Sequence, residues 1–486
     1  MNKKFSIIIA MAGLLSFTAC HNDLNIEQDS QLSANNMWKE QADAKAAMLG
    51  SHARLRTAFN NGLVYWGEYR TGLWGPGTHG GLSQTERDRT YQGTMDNTHT
   101  YADWENIYKI INQANLVIRY TPGISFNNEN EKNEVLANAL FVRAYSYYWI
   151  ARIWGDAPLV LEGYESADQE LRPNRSSAED IFKQVEQDIN EAARLMPASV
   201  TAKKTASIGA IQMLKADYSL WMYKVRNAGN AYLTAAQEAV NVVISSNKYT
   251  LQSNYAQIFS SASENGSEVI YAWNYQQEEH VGGYPSDYQF NSATVTPKYH
   301  YNPIVVGTGQ QWTFYTDAYI NVLKANPADK RLATTYQTFY DDGMKQNFAW
   351  TNKYKGTWLN STLVLDSDII LYRLADAYFF DAEIKFYQGN STQAISSLNK
   401  VLERAYGTAN YYNSTVNVKD VLVKERMREF PSEGKLWWDF IRLGVVFEMN
   451  PHLAGKENQE NILLWPISDN SINDNPNLGG QTPGWN

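Results

Sequence analysis

The stretch that most constrains this chain is ANALFVRAYSYYWIARIWGDAP, residues 137–158. Leu136, Leu140, Ala144, Tyr147, Ile150/Ala151 and Trp154 recur at three- and four-residue steps, one wide apolar stripe on a helix. Gly155 follows the last of them and can take the left-handed conformation that ends a helix, while Pro158 cannot continue one. Arg143 and Arg152 flank the stripe, where their stems can pack while their guanidinium groups seek carboxylates or carbonyls. The expectation is a long, aromatic-rich core helix with a firm stop.

Other helices on both sides can bury it. Met37 to Phe59 carries a helical pattern ended by Asn60-Asn61-Gly62, and Tyr101 to Tyr120 another, stopped by Thr121-Pro122-Gly123. Ser176-Ser177-Ala178-Glu179 reads as a capping box opening a helix that Pro197 closes. Ser207–Val225 with Tyr232–Ile244, and Leu371–Gln388 with Thr392–Ala405, form two antiparallel helix pairs resembling tetratricopeptide units. Their spacing is uneven, because Tyr249 to Asp368 interrupts them with turn-rich, aromatic sequence in which Val269–Trp273 reads as a strand. Leu63 to Asp96 is a second stretch with little regular period. The predicted fold is mainly α: a tetratricopeptide-like helix-pair scaffold with a large irregular, loop-rich insertion.

Hydrophobic residues at 44% of the 486 suffice for a sizeable core, and a net charge of −9 excludes a general nucleic-acid binder. The one cysteine, Cys20, rules out an intramolecular disulfide or a cysteine-based metal site. It follows Lys3-Lys4, an apolar run from Phe5 to Phe17, and Thr18-Ala19, the layout of a secretory signal. The position resembles a lipobox, although Phe17 stands where Leu is usual.

Motifs for catalysis are thin. Gly75-x-Gly77-x-x-Gly80 matches a dinucleotide fingerprint in letters only, since an aromatic loop precedes it and no apolar helix follows. There is no His-Glu-x-x-His and no Gly-x-Ser-x-Gly, and pairs such as Asp341-Asp342 and Glu278-Glu279 read as solvated turns. No enzyme activity, cofactor or metal is expected. Lys424-Glu425-Arg426-Met427-Arg428-Glu429-Phe430 and the run from Glu433 to Gly444 are different: alternating charges in an aromatic frame suggest a buried ion network.

Those runs strongly resemble the C-terminal signature of the SusD/RagB family, Glu-Arg-x-x-Glu followed by Glu-Gly and Asp-hydrophobic-x-Arg. The stretch LFVRAYSYY and WGDAPLV resembles the family's central helix, and Trp465-Pro466 through Asn475-Pro476-Asn477 to Trp485 its tail. The resemblance implies a lipoprotein anchored in the outer membrane through Cys20, facing the cell exterior, and partnered by a SusC-like, TonB-dependent transporter. It would capture an oligosaccharide, or alternatively an oligopeptide, and deliver it to that barrel. The chain then divides into a signal peptide (1–19), a lipidated tether (20–36), an N-terminal helical scaffold (37–248) with its aromatic loop (63–96), a ligand-binding insertion (249–368), and a last helix pair with the C-terminal region (369–486).

Ligand contacts in such proteins come from the loop and the insertion, which here hold Trp66, Tyr69, Arg70, Trp74, Trp273, Tyr275, Tyr284, Tyr288 and Trp312. Flat rings can cover the C–H faces of sugars while Arg, Asn and Gln reach hydroxyls. For each ring taken alone, plugging the insertion onto the scaffold is the favoured reading. Trp74 beside Gly-Pro-Gly and Tyr284 after Gly282-Gly283 are expected to be exposed.

Overall fold

A computed structural model of the chain describes residues 37–77, 85–263, 266–277, 282–413 and 416–485. The signal segment 1–19, Cys20 with its tether to residue 36, Gly80 and the Glu278-Glu279 pair lie outside the described residues.

Helices dominate the first half: α1 (Gln41–Phe59), α2 (Gly62–Gly67), α3 (Thr85–Gln92), α4 (Glu105–Tyr120), α5 (Glu129–Ile153), α6 (Ala178–Leu195), α7 (Ile208–Lys224) and α8 (Asn230–Ser245). The predicted central helix is α5, and it is more deeply placed than one apolar stripe requires. Every residue from Ala137 to Ile153 is buried, because α4 and α6 pack against it along its length and α1 joins them. A helix buried all round needs partners for its polar side chains. Arg143 has them: its Nε and Nη2 each reach Asp188 at 2.7 Å and Nη1 donates to Asn115 at 2.9 Å. Gly155 takes φ +75° directly after the capping residue Trp154, as its position predicts. The cap of α6 sits one residue later than the sequence suggests. Ser177, not Ser176, is the N-cap, and its Oγ accepts the Asp180 N–H at 3.1 Å.

The aromatic loop is more ordered than its lack of period implied, since α2, strand β1 (Trp74–Pro76) and α3 all fall within or across it. Beyond α8, strand β2 (Val269–Trp273) occupies the residues predicted for it. The insertion continues through β3 (Thr313–Tyr315), α9 (Asp317–Lys324), and hairpins β4 (Gln337–Asp341) with β5 (Gln346–Trp350) and β6 (Thr357–Leu359) with β7 (Thr362–Val364). Strand β8 (Ile369–Arg373) then returns antiparallel to β2, so the two ends of the excursion are clamped together. Helices α10 (Leu374–Tyr387) and α11 (Ser391–Tyr406) resume the scaffold, with α8 packed directly against α10. Phe290, Val295, Ile304, Val306, Phe348 and Trp350 give the insertion a small core of its own.

The charged run is α12 (Val418–Glu429), followed by α13 (Leu436–Leu443), and it is buried as a network. Arg373 donates to Glu268 (2.9 Å), Glu429 (2.6 Å) and Glu433 (2.9 Å). Lys353 reaches Glu433 at 2.7 Å, and Arg331 reaches Glu425 at 2.7 Å and Glu429 at 3.1 Å. Glu268, Arg331 and Lys353 belong to the insertion, so these ion pairs fix it to the C-terminal helices. Breaking a buried pair is costly, and this network therefore holds one orientation of the insertion.

Candidate ligand-binding site

The structure brings the two aromatic segments together, but it buries most of the rings expected to face a ligand. Trp66, Tyr69, Arg70, Trp74, Trp273, Tyr275, Tyr284 and Tyr288 are each no more than 2% exposed. The physical reason is that they join loop to scaffold. Trp66 Nε1 donates to the Tyr101 carbonyl, and its ring packs edge-on against Phe59 and Trp154. Arg70 donates to the carbonyls of Ile462, Leu463 and Leu464 and lies over the Trp437 ring. Trp273 leans on Phe59, and Arg56 covers Tyr275.

Trp74 and Tyr284 correct the expectation of exposure most directly. Trp74 stacks on Tyr288 at 5.3 Å and donates to Glu68 at 3.1 Å, while the Tyr284 hydroxyl donates to the Ser432 carbonyl at 2.6 Å. Burial lifts the Glu68 carboxyl to about 8, against the bonds from Trp74 and the Lys435 backbone. The neighbouring glycines serve close approach rather than an open turn. Gly75 lies in β1, paired with Phe314 of β3, and a Cβ on Gly77 would sit 2.2 Å from the Gln311 carbonyl oxygen.

Trp312 is the one member of the set left half-buried. Its backbone is held from two sides: its carbonyl accepts Gly77 N–H at 3.1 Å, and its N–H donates to the Asp287 carbonyl at 2.9 Å. Arg87 of α3 lies 5.9 Å from the Trp312 ring centre and pairs with the Asp287 carboxylate at 2.6 Å. Burial pushes that carboxyl up, with Arg87 opposing. The side-chain oxygen of Gln310, two residues before Trp312, has no partner among the described residues.

The backbone upstream of Trp312 walls a cavity. Gly307 N–H donates to Phe290 O at 2.8 Å, Ser292 N–H to Gly307 O at 2.9 Å, and Asn291 Nδ2 to Thr308 O at 2.9 Å. Together with the 282–292 segment this run encloses about 200 Å³, lined by Ser286, Gln289, Thr308, Gly309, Trp358 and Leu363 among others. Trp358 is half-buried on the β6–β7 hairpin. It was absent from the expected set, although a signal existed: Asn360 and Ser361, at φ 48° and 61°, form a two-residue turn that presents the hairpin. Trp358 lines this cavity beside Ser286, Gln289 and Thr308, whereas Trp312 does not; a partly open indole next to amide and hydroxyl groups suits stacking on a sugar face and hydrogen bonding to its hydroxyls.

Residues 245–485 match the sequence profile of the SusD family, and residues 81–214 match a SusD-like profile described as starch-binding associating with outer membrane. SusD-like protein P38 of Formosa agariphila is 26% identical, with 99% of this chain aligned to 98% of that one. Starch-binding protein SusD of Bacteroides thetaiotaomicron is 30% identical over 158 residues, 31% of this chain and 27% of its own. Among solved structures, NanU of B. fragilis superposes with a TM-score of 0.82 at 27% identity, over 95% of this chain and all of that chain.

Proposed function

This chain belongs to the SusD family, and from that membership we propose that it is a nutrient-capture lipoprotein of the cell surface. It binds an oligosaccharide and delivers it to a SusC-like, TonB-dependent transporter in the outer membrane, held there by a lipid on Cys20. The observation that carries the ligand class is the half-buried Trp358, which lines a cavity with Ser286, Gln289 and Thr308 on an insertion with its own core; Trp312 is a second half-buried ring of the same insertion. The similarity to a starch-binding relative and to a profile of starch-binding, outer-membrane-associated proteins supports the same class. No helix among the described residues is long and apolar enough to cross a membrane, which is compatible with attachment by a lipid.

Calorimetry on the purified protein with a glycan panel and, in parallel, an oligopeptide pool tests this reading. The expected result is glycan binding that Trp312→Ala or Trp358→Ala weakens at least tenfold, about 1.4 kcal/mol, with the fold intact. Peptide binding indifferent to both substitutions would overturn the glycan assignment.

A further inference from the structure

Outside the insertion, the start of α4, the segment 158–173 and the tail helix Asp469–Asp474 enclose a cleft of about 340 Å³. Its walls are largely aromatic and apolar, built from Trp104, Tyr108, Tyr164, Leu171, Pro173 and Leu478. Leu171 is 47% exposed, so one apolar wall stands open to water. Hydrogen bonds lock the three sides together. The Tyr108 hydroxyl donates to the Pro158 carbonyl at 2.6 Å, and Asn475 Nδ2 to the Pro173 carbonyl at 2.8 Å. Asn112 of α4 holds Tyr164 from both sides, accepting its N–H at 2.6 Å and donating to its carbonyl at 3.1 Å. The cleft is therefore formed in advance of any ligand.

Trp104 is the informative residue. It is only 5% exposed, and an indole N–H at that depth ordinarily finds an acceptor, as those of Trp66 and Trp154 do. Trp104 Nε1 has no hydrogen-bond partner among the described residues, yet it is not sealed from solvent as the N–H groups of Trp437 and Trp465 are. The Tyr164 hydroxyl and the exposed Asp474 carboxylate, on the same cleft, also form no hydrogen bond with a described residue. Of the other two lining acids, Asp103 accepts the Glu105 N–H and Glu105 pairs with Lys109. No lysine or arginine is among the lining residues.

These groups narrow the ligand. An acidic molecule would meet three carboxylates with no lining cation to offset them. A bare cation would leave the Trp104 N–H without an acceptor, and an apolar molecule would leave both it and Asp474 unmatched. A neutral sugar ring answers all of them: one hydroxyl accepts from Trp104, another donates to Asp474, and the C–H face lies on the rings and Leu171. We propose that this cleft is a second saccharide site, taking one neutral hexose unit. It is separate from the cavity beside Trp358 and does not depend on the reading given to that cavity.

The test titrates the intact protein with D-glucose, D-galactose and D-mannose, and with D-glucuronate as the acidic match, by ligand-observed NMR. At least one neutral hexose is expected to bind in the millimolar range. Trp104→Phe keeps a ring against Trp154 but removes the N–H, and should weaken that hexose about fivefold. Asp474→Ala, at an exposed position, should weaken it about threefold and serves if Trp104→Phe does not fold. Glucuronate should show no binding that either variant alters. Absence of neutral hexose binding at tens of millimolar overturns the proposal, as does glucuronate binding that is equally tight and equally sensitive to Trp104→Phe. Hexose binding that Trp358→Ala removes and both cleft variants leave unchanged also overturns it, because the sugar then sits in the insertion and the function proposed above stands without a second site.

Discussion

Replacing Glu429 with glutamine probes the feature that fixes the insertion in place. The Glu429 carboxylate receives Arg373 at 2.6 Å, Arg331 at 3.1 Å, and Arg404, and none of these side chains is more than 5% exposed. Glutamine keeps one acceptor but turns an NH₂ toward a guanidinium and leaves the network one negative charge short. Removing one partner of a buried ion pair costs about 3–5 kcal/mol. Unfolding entropy near 2.1 cal/mol/K per residue gives a chain of this length about 1 kcal/mol/K, so Tm should fall by about 3–5 °C. Acid supplies a second readout. Burial raises the Glu429 carboxyl, but Arg404, Arg373 and Arg331 outweigh it and hold the group at about 2, below the ordinary 4.5. A depressed folded pKa contributes stability that is present above pH 4.5 and lost as pH falls toward 2, here up to about 3 kcal/mol. Calorimetric melts of wild type and Glu429→Gln from pH 7 to 2 should therefore start apart and converge. A Tm difference under 1 °C at pH 7, with parallel acid profiles, would refute a dehydrated network.

Other perturbations separate packing from binding. A Cβ on Gly67 would lie 2.0 Å from the Gly434 carbonyl oxygen, so Gly67→Ala should lower Tm more than Glu429→Gln or prevent soluble expression. Gly50, inside α1 with nothing within 4 Å of its would-be Cβ, is the opposite case: Gly50→Ala should raise stability by about 0.5–1 kcal/mol in a urea melt. Burial pushes His52 down to about 4, with its bond to Asn138 opposing; Nε2–H donates to Asn138 at 2.9 Å and Nδ1 accepts the Tyr271 hydroxyl at 3.1 Å. Stability should accordingly be whole above pH 6.5 and decline by up to about 3 kcal/mol as pH falls to 4, a slope that urea melts of His52→Gln should lack. Trp66→Ala should cost about 3–5 kcal/mol in the same melts, whereas Trp312→Ala, half-buried, should cost far less while removing ligand heat.

The scaffold was legible because local rules determine it. The α7–α8 and α10–α11 pairs fall where helical period and turn residues place them, and the charge alternation between Glu425 and Glu433 marks a buried network. Two of its partners, Arg331 and Lys353, lie in the insertion, and no local pattern links them to the run from Glu425 to Glu433. The aromatics failed for the same reason. Whether Trp74 is open or buried depends on Tyr288 and Tyr315, both far along the chain, and glycines beside a ring mark close packing as readily as exposure.

An excess of rings can therefore serve two ends in one chain. Most of them weld the loop and insertion to the helices. Two indoles of the insertion that keep a face toward solvent sit on hydrogen-bonded backbone, Trp312 at the end of the β1–β3 ladder and Trp358 on a tight hairpin. Rings fixed in this way lose little freedom on meeting a ligand, so contact area converts more completely into affinity than it would on a mobile loop. On the proposed glycan reading, the buried network and the buried rings serve binding without touching what is bound: they set the orientation of the insertion, and with it the positions of Trp312 and Trp358.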